Sequence, residues 1–310
     1  MSKKSPFRFS HFAMGTIFEV IIAGSDEIYA GQASQAAFDE IDRIENLFNR
    51  FNPSSEVGQL NLLKAGKKNK IGIELFECLK TAARVQKETG GAFDINVASL
   101  VKYKRKSWEF PVELSCLAAG FMAKISDRSP GQKTHGAEID LGGIGKGYAL
   151  EKALEICSEW GIKHVLLHGG TSTALAAGDA PSENEGNTGW PVGIGWGWDC
   201  PKVPDRLYLK NRALSGSGIE VKGEHIIDPK SGQPAKGHKA VWVSHASASR
   251  ADALSTAFMV MTTEQVEEYC SQNPAVWALV VKDAGKCKIY NRKAVNSKWK
   301  IDNREGVLYD

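Results

Sequence analysis

Asp252 and Thr256 stand four positions apart in the run Ser249-Arg250-Ala251-Asp252-Ala253-Leu254-Ser255-Thr256-Ala257-Phe258-Met259-Val260-Met261. On a helix, residues at that spacing project from one face, so a carboxylate and a hydroxyl can converge on a single object. A hard cation is one such object. Magnesium takes few protein oxygens and fills its octahedron with water and substrate phosphate. The simpler reading makes Asp252, with Ser249, a first-turn residue favoured by free N–H groups and the positive end of the helix dipole. Thr256 then only back-bonds to the preceding turn. The remainder is apolar nearly all round, which predicts a buried helix. A buried acid needs partners, and the two readings differ in what those partners are.

Glycine clusters are the second source of chemistry. Gly142-Gly143-Ile144-Gly145-Lys146-Gly147 is not a Walker loop, because Gly147 stands where Ser or Thr must follow the lysine, and it lacks the dinucleotide G-x-G-x-x-G spacing. Two uses remain open for it: amides offered to a phosphate at a helix start, or a tight packing turn. Gly169-Gly170-Thr171-Ser172 and Leu214-Ser215-Gly216-Ser217-Gly218 read as two further loops of small, hydroxyl-bearing residues. Together the three suggest a site for something flat or phosphorylated. His225-Ile226-Ile227-Asp228-Pro229 adds an imidazole able to accept a proton near neutral pH and an acid able to orient it or the turn.

Positioning these residues requires a scaffold of strands and helices. Gly15–Ile22 is β-branched and bounded by small residues, which predicts a strand. Helical spacing of apolar residues predicts helices over about 25–48, 73–89, 148–160 and 263–271. Strands are expected at 163–168, 207–209, 224–227, 240–244 and 275–281. Lys64 to Lys70 reads as a solvated loop, and 101–133 as a mixed region with at most one short element. Strands and helices do not alternate strictly, so the expected class is α+β with mainly antiparallel sheets and packed helices.

A chain of 310 residues, 42% hydrophobic and 24% charged, has ample length for a large core. Its net charge of +3 comes from scattered Lys and Arg, and no nucleic-acid reader motif is present. The six cysteines lie far apart, with no CxxC and no zinc spacing, and read as buried free thiols. No stretch reaches membrane-spanning length and no apolar segment follows Met1-Ser2-Lys3-Lys4, so the chain as given is expected to be cytoplasmic.

Met14-Gly15-Thr16, Phe93-Asp94, Asp140 through Ala149, Gly169-Gly170, Leu214 through Gly218, His225 through Gly232 and Ala251 through Ala257 occur in the order seen in the ApbE family of flavin transferases. The resemblance spans about residues 13–282 and rests on the ensemble. It implies one flavin transferase domain covering 1–310, with FAD as substrate and magnesium as cofactor. The implied reaction cleaves FAD, joins FMN by a phosphoester to a threonine of an acceptor flavoprotein and releases AMP. The resemblance makes Asp252 and Thr256 metal ligands, helped by a backbone carbonyl near Gly143, and His225 the general base. Met14, Phe51, Asp94, Lys146, Gly169, Gly170, Thr171, Ser215 and Asp228 fall in segments that surround the flavin nucleotide. Asn96 through Leu100 departs from the family's usual Thr-Val-Gly-Pro-Leu run, and Phe51 replaces a frequent tyrosine. A hydrolase splitting FAD into FMN and AMP, a flavin carrier without turnover and a non-enzymatic scaffold are the competing readings. If Asp252 serves only the metal, Asp252→Ala is expected to leave the fold intact.

Overall fold

The computed structural model describes residues 5–97, 110–117, 120–126, 138–181, 188–194, 206–219, 223, 225–282 and 286–295. In chain order these form β1 (Phe7–Ala13), β2 (Thr16–Ala23), α1 (Glu27–Phe48), α2 (Glu56–Leu62), β3 (Lys68–Ile71), α3 (Ile73–Glu88), β4 (Val112–Leu117) and β5 (Gly120–Ile125). There follow α4 (Gly145–Glu159), β6 (His164–Gly169), β7 (Thr173–Ala177), β8 (Trp190–Gly193), β9 (Arg206–Leu209) and β10 (Arg212–Gly218). The last are β11 (His238–His245), α5 (Ala248–Val260), α6 (Thr263–Gln272), β12 (Trp277–Lys282) and β13 (Cys287–Tyr290).

Eight strands make the main sheet, in the order β1-β2-β6-β7-β10-β11-β12-β13, and every pairing is antiparallel. Alternate side chains leave opposite faces of a strand. Phe18, Val20, Ile22, Val165, Leu167, Leu175, Val241, Val243 and Val280 therefore meet the helices in one core. Ile21, Leu166, Ala174, Leu214, Trp277 and Leu279 enter a second core capped by β8 and β9. Burial on both faces makes these strands continuously apolar. A small antiparallel sheet, β3-β5-β4, stands apart from the main one. The α+β class holds, and among the described residues no helix is long and apolar enough to cross a membrane.

Several expectations are corrected. The stretch 214–218 is not a loop but most of β10, an interior strand whose helix-facing positions carry Ala213, Ser215 and Ser217. The basic segment is half strand, since Lys68–Ile71 pairs with β5, and the mixed region contributes two strands, β4 and β5. At 225–227 only an isolated bridge forms, Ile227 to Pro234, while Glu224 lies outside the described residues. So do Ala98 through Leu100, most of 101–133, and Cys200.

α5 is buried along nearly its whole length, including Ala251, Ala253, Leu254, Ala257 and Phe258. Such a helix needs close neighbours, and its start is crossed by the start of α4. A Cβ on Gly147 would lie 2.3 Å from the Ala248 carbonyl oxygen, and another neighbour there, the Ser249 nitrogen, is also backbone. Neither can swing away. Gly147→Ala is expected to cost about 1–3 kcal/mol of stability, the usual penalty for overpacking, measured as a lower urea midpoint at unchanged slope; an unchanged midpoint would contradict this crossing.

Candidate functional site

α5 begins one turn earlier than its acid. Ser247 is the N-cap and accepts from the Arg250 amide, and the His245 imidazole Nδ1 accepts from the Ser247 amide. Burial, with Arg250 adding to it, pushes His245 down to about 4, which keeps that ring a neutral acceptor. Asp252 consequently sits in the second turn, beyond reach of its own helix's free amides, and the first-turn reading is corrected. Its partners come from elsewhere in the fold. Oδ2 accepts from the Gly147 amide at 3.2 Å, Oδ1 accepts from the Ser215 hydroxyl at 3.0 Å and the Thr173 hydroxyl at 3.4 Å, and Lys146 Nζ lies 3.6 Å from Oδ2.

Each partner is placed by an element. Ser215 and Thr173 are register partners on β10 and β7, so their hydroxyls stand side by side, 3.1 Å apart, on the helix-facing side. One step along β10, the Ser217 hydroxyl meets that of Ser255 at 2.8 Å. α4 has no side-chain cap of its own, and Asp252 supplies an acceptor to its first turn from across the helix crossing. Negative charge at a helix N-terminus is favoured by the helix dipole.

The loop before α4 is shaped by Asp140, whose Oδ1 accepts from the Gly142 amide and whose Oδ2 lies 3.5 Å from Arg50 Nε. Arg50 in turn lies over the Phe51 ring, which is exposed. Gly143 packs between Thr256 and Phe93: a Cβ there would lie 3.2 Å from both Thr256 Oγ1 and Phe93 Cε2. The neighbouring Asp94 is buried and its Oδ1 accepts from the Asn96 amide, while the Ile95 carbonyl accepts from the Asp140 amide. Thr256 Oγ1 donates to the Asp252 carbonyl at 3.3 Å, the back-bond of the simpler reading.

Four amides of the glycine loop serve the packing use. The amides of Gly142, Ile144, Gly145 and Gly147 all donate within the protein. The Gly170 amide is likewise spent on Ile17, and the Gly216 amide on Ser172. What the α4 start presents instead is Lys146, whose ammonium donates to the Gly142 carbonyl at 3.3 Å.

On the other side of β7, Met14 and Gly15 form the β1–β2 turn with φ of 50° and 72°. Gly170 lies against it: a Cβ there would fall 2.5 Å from Thr16 Oγ1. Gly169 is buried beneath Phe18, and Thr171 is exposed at the tip of the β6–β7 hairpin. His225 and Asp228 lie on the connection from β10 to β11 and make no hydrogen bond to the Asp252 cluster among the described residues. Asp228 Oδ1 accepts from the Lys230 amide, binding the acid to its own turn. His225 is exposed and its Nδ1 is 2.9 Å from the Gly223 carbonyl oxygen. A carbonyl only accepts, so Nδ1 carries the proton and Nε2 of the neutral ring keeps its lone pair.

Among the described residues no group of three or more His, Cys, Asp and Glu side chains could hold a metal. Hard oxygens are nonetheless present: the Gly142 carbonyl and the Asp252 carboxylate, both near Lys146, and one turn on from Asp252 the Thr256 hydroxyl, which packs against Gly143. That donor set suits magnesium, which keeps several waters, and the first two of these oxygens flank a cation, Lys146. Sequence reasoning missed Thr173 and the Gly147 amide. The signal for Thr173 was strand register, which a sequence does not display.

Fold and site together define an antiparallel α+β protein with one buried, cation-flanked carboxylate at a helix crossing. The fold is shared with solved flavin transferase structures. ApbE flavinyl transferase from Pseudomonas stutzeri superposes with a TM-score of 0.71 at 22% identity, over 93% of this chain and 95% of that one. The ApbE protein of Thermotoga maritima gives 0.72 at 23%, over 92% and 97%. A Salmonella typhimurium FAD:protein FMN transferase is 22% identical over 294 residues, 87% of this chain and 83% of its own length. The ApbE family model matches residues 14–280, and the chain belongs to the ApbE family.

Because Asp252 anchors α4, β10 and β7 at once, the expectation that Asp252→Ala leaves the fold intact is replaced. Stranding the Gly147 amide and the Ser215 hydroxyl is expected to cost about 1–3 kcal/mol. Asp252→Asn, which keeps an acceptor oxygen, is expected to lose less in the same urea titration; equal stability of the Ala variant and the parent would contradict the anchor.

Proposed function

We propose that this chain is a FAD:protein FMN transferase: it binds FAD with magnesium, breaks the diphosphate, joins FMN through a phosphoester to a threonine of an acceptor flavoprotein, and releases AMP. The observation that carries the reading is the Asp252 carboxylate, 3% exposed, beside the Gly142 carbonyl, Thr256 and Lys146, in a chain of the ApbE family. Magnesium bound there would neutralise charge on the nonbridging diphosphate oxygens as the bridge breaks.

The protein's own groups divide the remaining work. Asp252 and Thr256 supply ligand oxygens, with the backbone at Gly142 and Gly143 beside them. Lys146 supplies positive charge to the diphosphate, beside a loop whose Gly142, Gly145 and Gly147 amides are spent on the fold. The exposed Phe51 ring, backed by Arg50, offers a face on which a flavin or adenine ring can stack, and Met14, Asp94 and Thr171 belong to the segments that the family resemblance assigns to the nucleotide. His225 acts as the base. With Nδ1–H held by Gly223, its Nε2 lone pair is available for the threonine proton, and the side chain is exposed.

Mixing the protein with FAD and magnesium, with and without a threonine-bearing peptide from a flavoprotein, distinguishes the outcomes. The expected result is AMP release with the peptide made covalently fluorescent, abolished in Asp252→Asn, milder in Thr256→Ala, and reduced on the order of a hundredfold in His225→Ala. AMP and free FMN with no labelled peptide would make the protein a hydrolase; no AMP at all would make it a carrier.

A further inference from the structure

Among the described residues the Lys146 ammonium meets two oxygens, and both belong to the set assigned above to magnesium. Nζ lies 3.3 Å from the Gly142 carbonyl oxygen and 3.6 Å from Asp252 Oδ2, and the side chain is 19% exposed. The position is fixed by the fold. Lys146 is in the first turn of α4, the Gly142 carbonyl is held in place by the Asp140 turn, and Asp252 is pinned by Gly147 and Ser215. Magnesium binds oxygen at about 2.0–2.1 Å. A dication on those oxygens and an ammonium on the same oxygens would stand within a few ångströms of each other, in a partly buried place where water screens little.

We infer that Lys146 is the resident counter-cation of this site and that a divalent cation enters by exchanging with it. The inference rests on the magnesium reading given under the proposed function and adds to it the identity of the group that must leave. Two consequences follow. Metal binding by the protein alone is weakened, because each ion that enters must break the Lys146 contacts. The displaced ammonium, on a flexible stem at the mouth of α4, then becomes a free positive charge in the place where the diphosphate is bound, so the site acquires its second cation only once its first has arrived. Lys146 is thus a positioning residue for the metal as well as a contact for the nucleotide.

The test uses the full chain without nucleotide. Magnesium is titrated calorimetrically into the parent and into Lys146→Met, which keeps an apolar stem of similar length, after thermal melts show that both are folded. In parallel, lysines are acetylated briefly with and without saturating magnesium and read by mass spectrometry. The expected result is magnesium binding tighter by about tenfold in Lys146→Met, between the worth of an exposed ion pair and a buried one. Acetylation of Lys146 in the parent should rise severalfold on adding magnesium, while that of Lys152, paired with Glu155, stays level. Equal or weaker affinity in the variant overturns the exchange. Tighter binding with unmoved Lys146 acetylation also overturns it, since a distant charge effect would then suffice. If neither protein binds magnesium, the metal reading of the site falls and the exchange falls with it, a result distinct from both of the others.

Discussion

A carboxylate removed from water has to be compensated by groups that the fold brings to it, and Asp252 is compensated on both of its oxygens by parts of the chain far apart in sequence. Gly147 is 105 residues away, Thr173 79 and Ser215 37. One side chain therefore joins the start of α4, the middle of α5 and two neighbouring strands of the main sheet. The glycine at 147, the small hydroxyl residues facing α5 and the buried helix itself are consequences of that junction. Large side chains at these positions would hold the elements apart, and apolar ones would leave the charge without partners.

The same junction explains why the site is cationic at its edge. A buried carboxylate attracts positive charge, and the fold brings the Lys146 ammonium on α4 to its edge, where it also meets the Gly142 carbonyl. The glycine-rich loop, by contrast, has a mechanical part. With its Gly142, Ile144, Gly145 and Gly147 amides given to Asp140, Leu141 and Asp252, it brings backbone close to backbone so that the Gly142 carbonyl and Lys146 reach the acid.

Much of this was legible in the sequence and some was not, for physical reasons. The long helices declared themselves because one face of each is buried and the other wet, giving a clear 3.6-residue period. The interior strands were harder: burial on both faces removes the alternation, and β10 with its Ser-Gly-Ser-Gly composition looked like a loop because its small residues answer to Asp252 and Trp242 across it. The pairing of Asp252 with Thr256 was visible as spacing, but the partners of Asp252 were not, since Thr173 and Ser215 meet only through register and Gly147 only through a helix crossing. Ordered motifs from Met14 to Ala257 were what made the family legible when no single motif could.

If the carboxylate that holds the helix crossing also receives the proposed cation, an ion arriving at the site must be felt at the Gly147 amide. The direct measurement is a magnesium titration of protein labelled with ¹⁵N-glycine, followed amide by amide. The account predicts that Gly147 and the loop glycines Gly142 and Gly143 shift together with a single dissociation constant, and that Asp252→Asn removes those shifts while the Gly161 and Gly178 amides stay still in both. Shifts confined to glycines elsewhere, or unchanged in Asp252→Asn, would contradict it.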